Sequence, residues 1–327
     1  MTTLTLSKAL NEGLRKALEN NPKALIMGED VGKLGGVFRV TDGLQKDFGE
    51  ARVIDTPLAE SGIIGTAIGL ALRGYRPICE IQFDGFVFPA FDQIVTQLAK
   101  MRYRSLGSLS LPIVVRIPFG GGIGAVEHHS ESPEALFAHT PGLRVVSCGG
   151  PADAYTMIQQ AAISDDPVMF FEPKRRYWDK ADVDVEGGLA AALPMDSARV
   201  LVPGTDVTVL CYGPMVRTCA ETAVAAASDG RSLEVIDLRS LAPLDTAIIF
   251  ASVRKTGRCV VVHEAVVTGG IGAEIAARVT QECFYSLEAP VLRVGAYSTP
   301  YPPSRLEDYY LPDLDRILDA VDRTFGY

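Results

Sequence analysis

Short apolar strands alternate with helical segments along almost the whole chain, and this alternation limits the fold more than any other feature of the sequence. Ala24 to Met27, Val53 and Ile54, Pro77 to Phe83, Pro112 to Ile117, Leu143 to Cys148 and Val168 to Glu172 read as strands. Helical spacing fills the intervals. The first case is Leu4 to Asn20, with apolar residues at 6, 10, 14 and 18, stopped by Pro22. Apolar strands joined by helices imply a parallel sheet covered on both faces. The pattern restarts with Val207 to Tyr212, Leu233 to Asp237, Cys259 to His263 and Val291 to Val294, again separated by helices. The predicted class is therefore α/β with two domains: residues 1–185, a linker at 186–205, and a smaller domain at 206–327. A charged, weakly periodic stretch from Lys174 to Ser197 announces the change.

Composition narrows the function. Asp and Glu total 40 against 31 Lys and Arg, and no long basic run exists, which argues against nucleic acid as a partner. Hydrophobic residues make up 47% of the chain, which suggests large cores plus a buried subunit interface. The six cysteines are scattered without a C-x-x-C pair and mostly lie in apolar strands, so they read as core residues of a reducing compartment. The N-terminal residues lack a signal-peptide core, and no apolar run approaches the roughly 20 residues of a membrane span. A cytoplasmic protein without a membrane partner is expected.

The most informative corner is Asp55-Thr56-Pro57-Leu58-Ala59-Glu60-Ser61-Gly62, followed by a Gly/Ala/Ile-rich helix to Leu72. Burying an ionised carboxylate there without a partner costs several kcal/mol. Glu60 either caps the helix N-terminus or hydrogen-bonds a heterocyclic nitrogen, and the corner alone leaves both open. Phe83, Phe86, Phe88 and Phe91 cluster at the next strand-to-helix junction, as core or as a stacking surface for a planar ring. The helix after them is expected to reach about Arg104. Glu127 to Glu134 is a polar loop behind the glycine-rich run Gly120 to Gly124. It carries His128 and His129, as solvated residues or as acid–base groups, and Ser132 and Pro133 read as N-cap and first residue of the next helix. The glycine-rich stretch Gly28 to Gly36 lacks phosphate-loop spacing and reads as a turn or interface loop. Gly270-x-Gly272 lacks the third glycine of a dinucleotide fingerprint, which disfavours a nicotinamide enzyme.

Taken in order, several stretches resemble one family. They are Glu29-Asp30-Val31, Asp55 to Glu60, Glu80-Ile81-Gln82-Phe83, Phe88 to Ile94, His129-Ser130-x-Ser132-Pro133-Glu134, Phe170-Phe171-Glu172-Pro173 and Asp237 to Asp245. Together they are similar to the β subunit of the thiamine-diphosphate-dependent 2-oxoacid dehydrogenases, over nearly the whole chain. Gly36-Val37-Phe38-Arg39, Ile81-Gln82-Phe83 and Tyr103-Arg104-Ser105 look more like the branched-chain enzymes than pyruvate dehydrogenase.

The resemblance implies a pyrimidine-binding domain followed by a transketolase-like C-terminal domain, in an α2β2 heterotetramer that passes its acyl group to a lipoyl-bearing dihydrolipoyl acyltransferase. The family's magnesium and diphosphate motif, Gly-Asp-Gly with a distant Asn pair, is not found: Thr41-Asp42-Gly43 begins with Thr and has no Asn pair downstream. Mg2+ and the diphosphate are therefore expected on the α subunit. Glu60 matches the glutamate that bonds the aminopyrimidine nitrogen and controls the cofactor's tautomer. Phe86, where relatives often have Tyr, matches the aromatic against that ring; Leu58 and Gln82 match its neighbours. His129 matches the histidine that handles protons, whereas His128 has no counterpart. A monovalent cation, K+ in some relatives, would rest on carbonyls of Leu111, Ile113, Val114, Ala161, Ser164 and Asp166, with Val114 and Ser164 in place of the usual Thr and Asp. Pyruvate or acetoin as substrate, and a non-catalytic scaffold of the same fold, are the alternatives.

Overall fold

The computed structural model describes residues 1–327. Its larger sheet has seven strands, in spatial order Ser240–Ala242, Arg144–Ser147, Val168–Pro173, Val114–Phe119, Arg76–Glu80, Ala24–Gly28 and Val53–Asp55. All neighbours are parallel except Ser240–Ala242, which runs antiparallel to Arg144–Ser147. Three of the strands, Ala24–Gly28, Val114–Phe119 and Val168–Pro173, are buried at every residue, the physical reason they read as unbroken apolar runs. Alternate residues feed opposite faces. Ile26, Ile78, Val114 and Phe170 pack with the helices Leu6–Asn20 and Pro151–Ile163, while Met27, Cys79, Val115 and Phe171 pack with the helix Glu60–Leu72.

The second sheet is ordered Leu292–Ala296, Cys259–Val266, Val207–Cys211, Leu233–Asp237 and Arg199–Val202, parallel except for the last pair. Leu210, Ile236, Leu238 and Leu241 join the same apolar cluster as Met27 and Val115, so the two halves share a core. No helix is long and apolar enough to cross a membrane.

Several local expectations change. The helix expected to run from the aromatic cluster to Arg104 is broken into a 3-10 turn at Asp84–Ala90, a π-type turn at Gln93–Leu98 and a short helix at Met101–Arg104. Pro89 lacks the N–H a regular helix needs, and Ala99 N–H reaches five residues back to the Ile94 carbonyl at 2.9 Å. Pro133, without a side-chain cap, occupies the cap position of the helix Glu134–Ala138, one residue later than the Ser132 reading. The N-terminal helix begins at Leu6, capped by Thr5, because Thr2–Thr5 form a strand paired with Lys180–Val183. The stretch 186–205 contains the strand Arg199–Val202 of the second sheet, and Ser240–Ala242, within the motif Asp237 to Asp245, forms the edge strand of the first.

One polar network crosses the larger sheet. Arg116 donates through Nε and Nη2 to Glu172 at 2.6 and 2.9 Å and through Nη1 to Glu80 at 2.7 Å, and Tyr177 donates to Glu172 at 2.6 Å. All four side chains are buried. Burial opposes the arginine's charge, yet Glu172 and Glu80 hold it protonated beyond its ordinary range, and burial pushes Glu80 up. Removing one partner of such a network strands buried charge. Arg116→Met is expected to destabilise the chain by roughly 3–5 kcal/mol, read as a lowered denaturant midpoint.

Candidate active site

The strand Val53–Asp55 ends where Thr56 N–H bonds the Gly28 carbonyl at 2.9 Å, and the chain then turns through Pro57, Leu58 and Ala59. Ala59 occupies the helix cap position and no side chain caps it. Glu60 is the first helical residue, only 5% exposed, and its carboxylate finds no hydrogen bond or ion pair within the chain. Glu60 thus makes no capping hydrogen bond, though it stands in the first turn, where the helix dipole favours a negative charge. Leu58, just before it, is 78% exposed.

A second buried carboxylate lies nearby. Burial raises the pKa of Glu29, and the charges of Glu60, Asp30 and Glu80 raise it further. Its Oε1 is buried without a partner. Gln82 is turned toward this side, donating to Asp30 at 3.2 Å.

The helix Glu60–Leu72 packs on the turn Asp84–Ala90, which carries Phe86. The His129 ring lies edge-on to Phe83 at 4.1 Å and to Phe86 at 5.2 Å between centroids. Three of the five residues predicted for catalysis and cofactor binding are thus linked in space: the helix of Glu60 packs on the turn of Phe86, and Phe86 meets His129. The two histidines separate as well. His128 is exposed beside Glu127, whereas His129 Nδ1 is buried without a partner. Burial lowers the His129 pKa, and the nearby Lys174 and His128 lower it further.

The loop bearing His129 is held from two directions. Its glycine run is gripped by carboxylates of the second half: Gly121 N–H donates to Glu264 at 2.5 Å, and Gly122 and Gly124 donate to Glu307 at 2.9 Å each. A Cβ on Gly121 would lie 1.8 Å from the Tyr301 hydroxyl, so any other residue there would displace Tyr301, which donates to Glu307 at 2.6 Å. At the other end Lys174 donates to both Asp84 and the His129 carbonyl, and Asp84 accepts from Glu131 N–H at 2.8 Å. Burial pushes Asp84 up to about 6 despite the ammonium, and lowers Lys174. Sequence reasoning missed Asp84, Lys174, Glu264 and Glu307. The available signal was a charged residue set directly against a buried run, as in Phe83-Asp84 and Pro173-Lys174.

The six carbonyls suggested for a monovalent cation lie elsewhere, around the start of the strand Val114–Phe119 and the end of the helix Pro151–Ile163, and at least five of them accept hydrogen bonds. Leu111, Ile113 and Ala161 accept from backbone N–H groups, Asp166 accepts from the Ser164 hydroxyl, and Ser164 accepts from Arg76 at 2.6 Å. The Arg76 guanidinium places a fixed positive charge against this set.

Fold and corner together define a transketolase-type chain. Residues 2–179 match the family described as transketolase, pyrimidine binding domain, and residues 196–317 match the transketolase C-terminal domain. A solved structure titled "Split gene transketolase, inactive beta4 tetramer" superposes with a TM-score of 0.80 over 99% of this chain and 98% of that one, at 24% identity, a likeness of fold. Among curated relatives, the pyruvate dehydrogenase E1 component subunit beta of Leifsonia xyli subsp. xyli is 61% identical, covering 99% of this chain and 96% of the relative. The 3-methyl-2-oxobutanoate dehydrogenase subunit beta of Mycobacterium tuberculosis is 53% identical, covering 98% and 92%. The chain belongs to the family of thiamine-diphosphate-dependent 2-oxoacid dehydrogenase β subunits.

The environment of His129 has a measurable consequence. A group whose charged form is disfavoured by burial and by a neighbouring cation stays neutral to lower pH. Titration of isotope-labelled histidine by NMR, with His129→Gln for assignment, is expected to place His129 below the ordinary value of about 6.5. A midpoint at or above that value contradicts the described packing.

Proposed function

We propose that this chain is the β subunit of a branched-chain 2-oxoacid dehydrogenase. With an α subunit, in an α2β2 assembly, it carries out oxidative decarboxylation of 2-oxoacids and transfers the acyl group to the lipoyl group of an acyltransferase core. The observation that carries the proposal is Glu60, a residue only 5% exposed at a strand-to-helix corner, whose carboxylate has no partner of its own chain and still reaches the surface. A nitrogen heterocycle satisfies such a group. Glu60 would hold the ring nitrogen of thiamine diphosphate, with Leu58, Gln82 and Phe86 beside the ring, and the α subunit would hold the diphosphate and Mg2+. Once bound, the cofactor supplies the electron sink for decarboxylation. This chain orients it, shields it from water and places the His129 imidazole to move a proton.

The branched-chain reading is supported by Gly36-Val37-Phe38-Arg39, Ile81-Gln82-Phe83 and Tyr103-Arg104-Ser105. Pyruvate is the second reading, favoured by the name of the relative at 61% identity. With the assembled enzyme, kcat/KM for 3-methyl-2-oxobutanoate is expected to exceed that for pyruvate, and the reverse order selects the second reading. Under both readings, Glu60→Ala is expected to abolish cofactor-dependent decarboxylation in a folded complex. Full activity in that variant removes the role of Glu60.

The helix that begins with Glu60 also supports the α partner. Gly62, Gly65, Thr66 and Gly69 lie exposed on one face, and a Cβ on Gly65 or Gly69 meets nothing within 4 Å. Such a face admits the close approach of another chain beside the cofactor site. Gly65→Leu is expected to leave this chain folded, since it has room and a better helix former. Assembly with the α subunit should fail, as read by light scattering of the co-expressed pair.

A further inference from the structure

The His129 imidazole has no hydrogen bond that sets its orientation. Its Nδ1 is buried and unpartnered, and its ring touches only the edges of Phe83 and Phe86 among the aromatic side chains. The ring must therefore be aimed through its backbone, and the backbone on both sides of Ser130 is gripped by one buried ion pair. Lys174 Nζ donates to Asp84 and to the His129 carbonyl, and the other Asp84 oxygen accepts from Glu131 N–H at 2.8 Å. Both side chains of the pair are wholly buried.

The approach is close. A Cβ on Gly85 would lie 2.6 Å from the His128 carbonyl oxygen, so the turn that carries Asp84 lies flush against the loop. The same pair touches the aromatic wall, with Lys174 Nζ 5.5 Å from the centre of the Phe83 ring. Asp84 starts the turn that presents Phe86, and Lys174 directly follows the strand Val168–Pro173. Loop, turn and strand meet at one ammonium group.

We propose that Asp84 and Lys174 are positioning residues for the reaction, and that they act through His129 by fixing its main chain. This rests on the reading above that His129 works in turnover. Two donor–acceptor contacts from this pair, one from each partner, converge on the three-residue segment His129–Glu131, and neither is made to the imidazole itself. A change at the pair therefore reorients the ring; Lys174→Met also removes a charge that lowers the imidazole's pKa, whereas Asp84→Asn keeps that ammonium. Misplacing a proton-handling group by about 1 Å can lower a rate on the order of a hundredfold.

The test uses the assembled enzyme with Lys174→Met and Asp84→Asn, each alone and combined with His129→Ala. Both substitutions approximately keep shape, and Asp84→Asn keeps an oxygen for Glu131 N–H. Each single variant is expected to lose between about tenfold and a hundredfold in kcat, with KM for the 2-oxoacid changed by less than about twofold. In the His129→Ala background the same substitutions should cost less than about twofold, because the residue through which they act is already gone.

Losses that multiply undiminished in the His129→Ala background would overturn the proposal and leave the pair a folding element. So would wild-type kcat in both single variants while His129→Ala is crippled. If Lys174→Met does not assemble, Asp84→Asn carries the cycle; failure of both to assemble assigns the pair to folding and also overturns the proposal. A fully active His129→Ala enzyme refutes the underlying role of His129, an outcome distinct from these.

Discussion

The structure hangs on a buried arginine. Arg116 reaches Glu80 directly opposite on one neighbouring strand and Glu172, two residues further along, on the other, tying three adjacent strands of the larger sheet together. Taking these charges out of water is costly, and only the bidentate geometry, the second carboxylate and the Tyr177 hydroxyl offset the loss. The segment that leaves each strand is then delivered at a fixed height. Phe83 and Asp84 come just after Glu80, Gly120 begins the glycine run after Arg116, and Lys174 comes two residues after Glu172. The aromatic wall, the histidine loop and its clamp are all built on strand ends whose register this network sets.

The second half of the chain matters to the site as well as to the core. Glu264 and Glu307 supply the acceptors for three N–H groups of the Gly120–Gly124 run. Arg239 reaches back to Asp153 at 3.0 Å and to the carbonyls of Pro194 and Ser197 at 2.7 and 2.6 Å, fastening the connecting segment to both sheets. The motif Asp237 to Asp245 thus acts as a clasp, and its Ser240–Ala242 segment adds a strand to the first sheet. A loop rich in glycine has much conformational freedom to lose, and acceptors from another domain are what order it.

Parts of the site were legible because local chemistry forced them. A carboxylate next to an almost wholly apolar helix stands out in the sequence, and the structure puts it in the helix's first turn without a capping hydrogen bond. The aromatic cluster at the end of a buried strand was open as core or as a stacking surface, and the structure sets Phe83 and Phe86 edge-on to His129. Asp84 and Lys174 were not legible as a pair. They stand 90 residues apart, and neither belongs to a spaced motif. The broken helix after Phe91 was also hidden, since its residues keep helical character while Pro89 and the π-type turn change its path.

By itself the sequence determined the class of fold, the two-part organisation and the candidate carboxylate. Strand and helix periodicity are local, and a buried charge is expensive wherever it sits. Tertiary structure decided which of two adjacent histidines is packed and which is solvated, which lysine meets which aspartate, and which domain holds the glycine loop. Those outcomes depend on distances between segments far apart in the chain, and no local pattern encodes them.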